Sequence, residues 1–419
     1  MTLRKRVLIA LMLLQTLLAG TSFASARLTL EDCIKTALEK HPDLVAAKSK
    51  VDSAKANVGE ALSGGRPQLS AGTGYSRSGS SDTDSDVGTY NTNVAVEQSI
   101  YDWGRRELSV SGAMLSASAA EMDYMEVRDQ IIADVRDSYY ALSKSVRDNK
   151  IAKTRYSNYE KRLNWARSYY EAGTKAKIEV TKAESDLANA KLILVKSVSA
   201  IEQSKAALAS AMGVPMLEIS EISDELAYAD WNIKIEDAVK RATENRPELT
   251  AQSKRVESAK ANLELQKKGL MPDMTGSAGY SLYGSAPADT GEWTAKVSVS
   301  IPISDGGLTK SKVMGAAADL AQADAEMKSL YNSVVLEVRK AYESLVEAKE
   351  SFAASREAER QAKETLDLAL ERYRAGVGSS LEISDAVESF ASAQTNTVQS
   401  LYDCKKARLD LEKAIGGLN

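Results

Sequence analysis

The 419-residue chain has one histidine, two cysteines, three phenylalanines and seven prolines. With His41 as its only imidazole, it has no set of histidines for a metal centre, and His41 falls at a helix boundary rather than beside a nucleophile. No glycine-rich phosphate loop opens a helix, and no ligand set has metal spacing, so no enzyme activity, cofactor or metal is expected. Cys33 and Cys404 leave a disulfide and two buried thiols equally open. A positive charge excess is also missing: the formal net charge is −4, or about −7 once a leader carrying Arg4, Lys5 and Arg6 is removed, which argues against a nucleic-acid partner.

That leader is the one long apolar run. Val7 to Leu18 follows the three basic residues and precedes Ala24-Ser25-Ala26, the pattern of a secretory signal peptide over residues 1–26. A dozen apolar residues fall short of the roughly twenty needed to span a bilayer. No later stretch reaches that length, so a membrane role, if any, falls to β-strands.

Proline is absent between Pro67 and Pro215 and again beyond Pro302, and glycine is absent between Gly112 and Gly173. Apolar residues step through the first gap at threes and fours: Ile131, Val135, Tyr139, Leu142 and Val146, then Ala183, Leu187, Ala190, Leu194, Ile201, Leu208 and Met212. This is a coiled-coil stripe on two long antiparallel helices folded at Gly173. As one helix, 104–172 would extend roughly 100 Å.

The chain then repeats itself. Residues 31–75 align with 236–280 without a gap and share about 18 of 45 positions, including Val51-Asp52-Ser53-Ala54-Lys55-Ala56-Asn57 against Val256-Glu257-Ser258-Ala259-Lys260-Ala261-Asn262. Tyr170-Glu171-Ala172-Gly173 returns as Tyr373-Arg374-Ala375-Gly376. Repeat 1 covers 27–213: two short helices, a β-hairpin at about 67–102, a long helix at about 104–172 and a return helix at about 177–213. A linker, 214–234, leads to repeat 2 at 235–419, with a hairpin at about 272–303, a long helix at about 306–375 and a return helix at about 380–416. Strand alternation is expected in Leu69–Tyr75 and Tyr90–Ile100, separated by a polar loop, Ser76–Gly88. Four strands cannot close a barrel, and an open edge inside a bilayer leaves backbone groups unpaired, so hairpins that insert require an oligomer.

The chain resembles the TolC-type outer-membrane efflux proteins along Leu28 to Asn419. The resemblance is carried by Leu30-Glu31-Asp32-Cys33-Ile34, Pro42-Asp43-Leu44, Pro67-Gln68-Leu69-Ser70, Asp102-Trp103-Gly104 and the two tip sequences, Tyr170-Glu171-Ala172-Gly173-Thr174 and Arg372-Tyr373-Arg374-Ala375-Gly376. It implies a mainly helical fold with membrane β-hairpins, assembled as a homotrimer: a twelve-stranded outer-membrane barrel continued by a twelve-helix periplasmic tunnel. The implied function is export of small molecules or proteins, with outer-membrane lipid around the barrel. The implied partners are a periplasmic adaptor and an inner-membrane RND, MFS or ABC transporter.

The same resemblance singles out residues. Glu382 and Asp385 share a helical face and match the acidic pair of the family's periplasmic aperture; a solvated acidic face is the plainer alternative. Their first-repeat counterparts are Glu179 and Lys182. Some members latch the tip with an arginine where this chain has Gly378, leaving Tyr373, reaching toward Glu179, as the closing residue. The turns Gly173-Thr174 and Gly376-Val377-Gly378-Ser379 are the expected adaptor-docking tips, although a left-handed helix cap alone also calls for glycine. Tyr75, Tyr90, Tyr280, Tyr283 and Trp293 are expected at the membrane interface, and ordinary strand composition also accommodates them. The competing overall reading is a periplasmic coiled-coil spacer without a pore.

Overall fold

A computed structural model describes residues 28–80, 83–216, 222–223, 226–228, 230–285, 287, 290–375 and 377–417. The expected leader, 1–26, and the tip residue Gly376 lie outside the described residues. The elements run α1 (Leu30–Lys40), α2 (Pro42–Ser63), β1 (Gln68–Ser80), β2 (Thr83–Tyr101), α3 (Arg105–Glu171), α4 (Lys177–Ala211), α5 (Ile235–Asn245), α6 (Pro247–Lys267), β3 (Asp273–Gly284), β4 (Thr290–Ser300), α7 (Leu308–Arg374) and α8 (Ser380–Ala414). Contacts divide them into two compact units. Among the described residues no helix is long and apolar enough to cross a membrane.

The helix starts follow local chemistry. Pro42 opens α2, where its missing N–H costs nothing, and His41 caps it: Nδ1 accepts the Asp43 N–H at 3.2 Å. Asp102 caps α3 by accepting the N–H groups of Gly104 (3.1 Å) and Arg106 (2.9 Å). Asp305 caps α7 in the same way, through Gly307 (3.0 Å) and Thr309 (2.7 Å). Each cap is followed by two left-handed residues, Gly306 and Gly307 before α7 but Trp103 and Gly104 before α3. A left-handed tryptophan costs about 1 kcal/mol that glycine avoids.

The unit built from Lys40–Ala133, Asp230–Glu347 and Ala407–Asn419 holds the sheet. Its order is β1-β2-β3-β4, antiparallel throughout. The strands of the first hairpin run further than alternation alone indicates. The stretch Ser76–Gly88, expected as a loop, is mostly strand, because pairing such as Ser76↔Thr89 and Gly79↔Asp86 satisfies its backbone despite weak strand propensity. Register places Leu69, Tyr75, Tyr90, Val94, Val96, Tyr280, Trp293 and Val297 on one exposed face, with Glu97, Ser277 and Lys296 on the other. Tyr75 and Tyr90 rings meet at 4.8 Å. Tyr283 differs in phase from the other four aromatics. It pairs with Asn91 and Thr290, one residue out of phase with Tyr280, and so lies on the polar face.

The helices of this unit pack through small residues, among them Ala47 of α2, Ala238 and Ala242 of α5 and Ala251 of α6. Arg246, which ends α5 and starts α6, is nearly buried and paired with Glu248 (2.5 Å) and Glu337 (2.7 Å). Beside it, burial and then the charges of Glu248 and Asp123 raise the pKa of Glu126.

The other unit joins the segment ending at Glu39 with Asp134–Ala229 and Ala348–Lys406. The Tyr139 hydroxyl ties two of its strand-like segments to α3, contacting the carbonyls of Leu28 (3.0 Å) and Ser223 (2.6 Å). Cys33 and Cys404 belong here as buried thiols. Farther along, four helices meet around Tyr159 of α3, Ala190 of α4, Leu366, Ala369 and Tyr373 of α7, and Ile383, Ala386 and Val387 of α8. The three-and-four spacing of the α7 and α8 contributions makes this a coiled-coil core.

Candidate functional site

The residues singled out at the helix turns all belong to that second unit. At the first turn Gly173 is left-handed (φ 72°) and donates to Tyr170 O at 2.9 Å, while the Thr174 N–H donates to Tyr169 O at 2.9 Å. The paired bonds form a Schellman cap, so glycine answers a backbone requirement here. At the second turn Val377 and Gly378 both donate to Arg372 O, at 3.1 and 3.0 Å. A Cβ at Gly378 would stand 2.8 Å from the Tyr373 nitrogen. The turn folds back too tightly for any side chain, an arginine included.

Ser379 and Glu382 form a capping box at the start of α8. The Glu382 N–H donates to Ser379 Oγ (3.1 Å) and the Ser379 N–H donates to Glu382 Oε2 (3.2 Å). Arg372 approaches the other carboxylate oxygen at 3.7 Å. Asp385, one turn on, is exposed and has no hydrogen bond or ion pair among the described residues. Its neighbours Ile383, Ala386 and Val387 are buried, so α8 spends one face on the core and presents Asp385 from another. The two acids therefore differ: Glu382 is partly neutralised by the cap and Arg372, whereas Asp385 keeps its field.

Tyr373 is buried, its ring edge-on to Tyr169 at 5.6 Å and tilted against Trp165 at 6.2 Å. Burial and then the neighbouring Tyr169 and Glu179 push its hydroxyl pKa up. No hydrogen bond joins Tyr373 to Glu179 among the described residues, and Glu179 Oε2 is buried without a partner.

Two features at this end escaped the sequence reading. Arg162 of α3 is 1 % exposed. Its guanidinium donates to Asp186 Oδ2 of α4 (2.5 Å) and to Ser380 Oγ of α8 (2.8 and 3.3 Å), and Ser384 Oγ donates to the same Asp186 oxygen (3.2 Å). One buried cation thus fastens the start of α8 to the first helix pair. In repeat 2 the aligned residues are Thr365 and Ser389, so comparing the repeats was the one available signal. The second feature is a pair of exposed aliphatics just past the turns, Ile178 (73 %) and its repeat counterpart Leu381 (54 %), beside Val377 (70 %).

The profile of the outer membrane efflux proteins matches residues 33–214 and again 238–417. The chain belongs to that family. Among its relatives are the pyoverdine export outer membrane protein OpmQ of Pseudomonas putida, 23 % identical over 94 % of this chain and 87 % of that protein. TolC of Escherichia coli is 21 % identical over 96 % of this chain and 85 % of its own length. The MtrE outer membrane channel of Neisseria gonorrhoeae, solved in its open state, superposes with a TM-score of 0.82 at 21 % identity, covering 93 % of this chain and 89 % of MtrE. VceC of Vibrio cholerae gives 0.80 at 20 % identity, covering 93 % and 96 %. An outer-membrane efflux protein of this family is a channel with a periplasmic helical tunnel and is not an enzyme. Its channels are trimeric and work with adaptor proteins and pumps. The pore-free spacer is thereby set aside.

Proposed function

We propose that this outer-membrane efflux protein is the homotrimeric exit duct of a three-part export assembly, with its narrowest point at Asp385 and Glu382. Its inner-membrane partner is an RND, MFS or ABC transporter, reached through a periplasmic adaptor that seats on the turns at Gly173-Thr174 and 376–379. Substrates are small molecules, in keeping with relatives named for pyoverdine export and toluene efflux.

The observation that carries this reading is the unpartnered carboxylate of Asp385 on a helix whose other face is committed to packing. Threefold symmetry turns it into a ring of three carboxylates, with the Glu382 ring about 4.5 Å away along the helix. Such rings attract cations and repel anions at a constriction. Glu382, already engaged by Ser379 and Arg372, contributes the weaker field.

Planar-bilayer recording in a salt gradient tests the assignment. The wild type is cation-selective; Asp385→Ala loses most of that selectivity and Glu382→Ala less. An unchanged reversal potential in the double variant would remove both residues from the constriction. It would leave family membership untouched.

A further inference from the structure

Near the β2–α3 junction lies a cavity of about 580 Å³ lined by Leu62, Arg66, Gln98, Ile100, Arg106 and Val110, with Glu107 at its wall. It belongs entirely to the sheet-bearing unit. Ile100 lies at the register shift between Ser99 and Tyr101, and its side chain reaches Gly276, which is in phase with the partners of Val96 and Val94, so the cavity opens at the end of the exposed apolar face. The distance from the aromatic cluster at Tyr90 to Ile100 is ten residues. At about 3.3 Å per residue and a tilt of about 40°, that is about 25 Å along the membrane normal, the height of a barrel's apolar band. With the hairpin turns outward, the cavity sits at the headgroups of the periplasmic leaflet.

Its chemistry suits that level. Arg66 is exposed, and its guanidinium has no partner among the described residues. Arg106 lies against Gly65, where a Cβ would stand 2.6 Å from its Cδ, and it shares one bond with Glu107 (3.1 Å), leaving other N–H groups to donate. Gln98 adds an amide that donates to Gly65 O at 3.4 Å. Beside the cavity Tyr101 and Trp103 meet edge-on at 5.2 Å, both half exposed. Trp103 holds the strained left-handed position where the other repeat has Gly306. A bulky aromatic kept at a conformational cost, at a sheet end, is what an interfacial anchor requires. The repeats also diverge at the arginines: Met271 stands for Arg66 and Thr309 for Arg106.

We propose that this cavity binds the phosphate of an anionic glycerophospholipid of the periplasmic leaflet, Arg66 and Arg106 gripping the headgroup while Leu62, Ile100 and Val110 meet its acyl chains. There is one site per subunit, in the first repeat only. The proposal rests on the sheet being the membrane-inserted part.

Native mass spectrometry of the detergent-extracted full chain, titrated with phosphatidylglycerol, reads lipid adducts directly. Retained adducts on the wild type are expected to weaken about tenfold for each arginine lost in Arg66→Gln and Arg106→Gln, as for a charge-assisted hydrogen bond. The Arg66→Lys, Arg106→Lys pair recovers part of the affinity, and Lys328→Gln, far along α7, changes nothing. Equal lipid binding by wild type and the double glutamine variant would overturn the proposal. So would displacement of the lipid by millimolar inorganic phosphate, which would mean a free-anion site. Dissociation of the double variant into monomers would show instead that the groove is a contact between copies. Failure of the membrane reading looks different: the wild type would then leave outer membranes in an alkaline wash.

Discussion

Replacing Arg162 by methionine keeps an unbranched apolar stem and deletes the guanidinium and its charge. Asp186 and Ser380 then lose the donor that joins them. Breaking a fully buried ion pair costs about 3–5 kcal/mol. Asp186 is 21 % exposed and recovers some hydration, which brings the expectation to the lower end, about 3 kcal/mol, or about a hundredfold in equilibrium. Because the lost bonds run from α3 and α4 to the first turn of α8, the cost falls on the docking of that turn and spares the sheet. Hydrogen exchange read by mass spectrometry on peptides covering 380–390 is the direct assay. Those amides are expected to exchange about a hundredfold faster in Arg162→Met, with strand peptides unchanged. Adding Asp186→Leu removes the stranded carboxylate and restores most of the protection. Unaltered exchange in Arg162→Met, or a double variant no slower than the single one, would refute the claim that this cation fastens the tip.

Gly378→Ala forces a Cβ toward the Tyr373 backbone and is expected to cost about 1–3 kcal/mol locally, seen as new protease cleavage near Val377. Ile178→Asp together with Leu381→Asp, exposed just past the turns proposed to seat the adaptor, should abolish co-purification of a crosslinked adaptor while leaving bilayer conductance intact; unimpaired co-purification would show that these two side chains take no part in that seat. For Glu126 the sign follows from its raised pKa. The folded state holds the proton more tightly than the unfolded chain, so ionisation destabilises as pH rises above the ordinary value of 4.5. Glu126→Gln is therefore expected to gain stability over wild type through that rise and to match it at lower pH, as followed by thermal melting across a pH series.

The fold was largely legible because its signals are long and local. Missing proline and glycine over dozens of residues, with a steady apolar stripe, leave few alternatives to paired long helices, and the duplication of Val51–Asn57 at Val256–Asn262 doubles every inference. Strand ends were less legible. Ser76–Gly88 has turn composition, and only its pairing partner makes it strand. Tyr283 was grouped with other aromatics by type, although one step of phase turns it to the other face. At the tip, Glu382 and Asp385 were visible as neighbours on one helix. The Ser379–Glu382 capping box is local, but the Arg372 contact and the whole of the Arg162 cluster come from separate helices with no shared periodicity. Such contacts depend on packing, for which the local pattern carries no code.

The four-stranded sheet ends in β1 and β4, each paired on one side only among the described residues. Every subunit therefore supplies two halves of seams that other subunits must complete. A subunit spoiled at either edge does more than fail alone, since it also spoils the assembly it joins. If spoiled and sound chains are made in equal amounts and mix at random, about one threefold assembly in eight is wholly sound. Edge damage should accordingly behave as a dominant trait in the cell, whereas damage confined to the cavity or the tip should dilute in proportion.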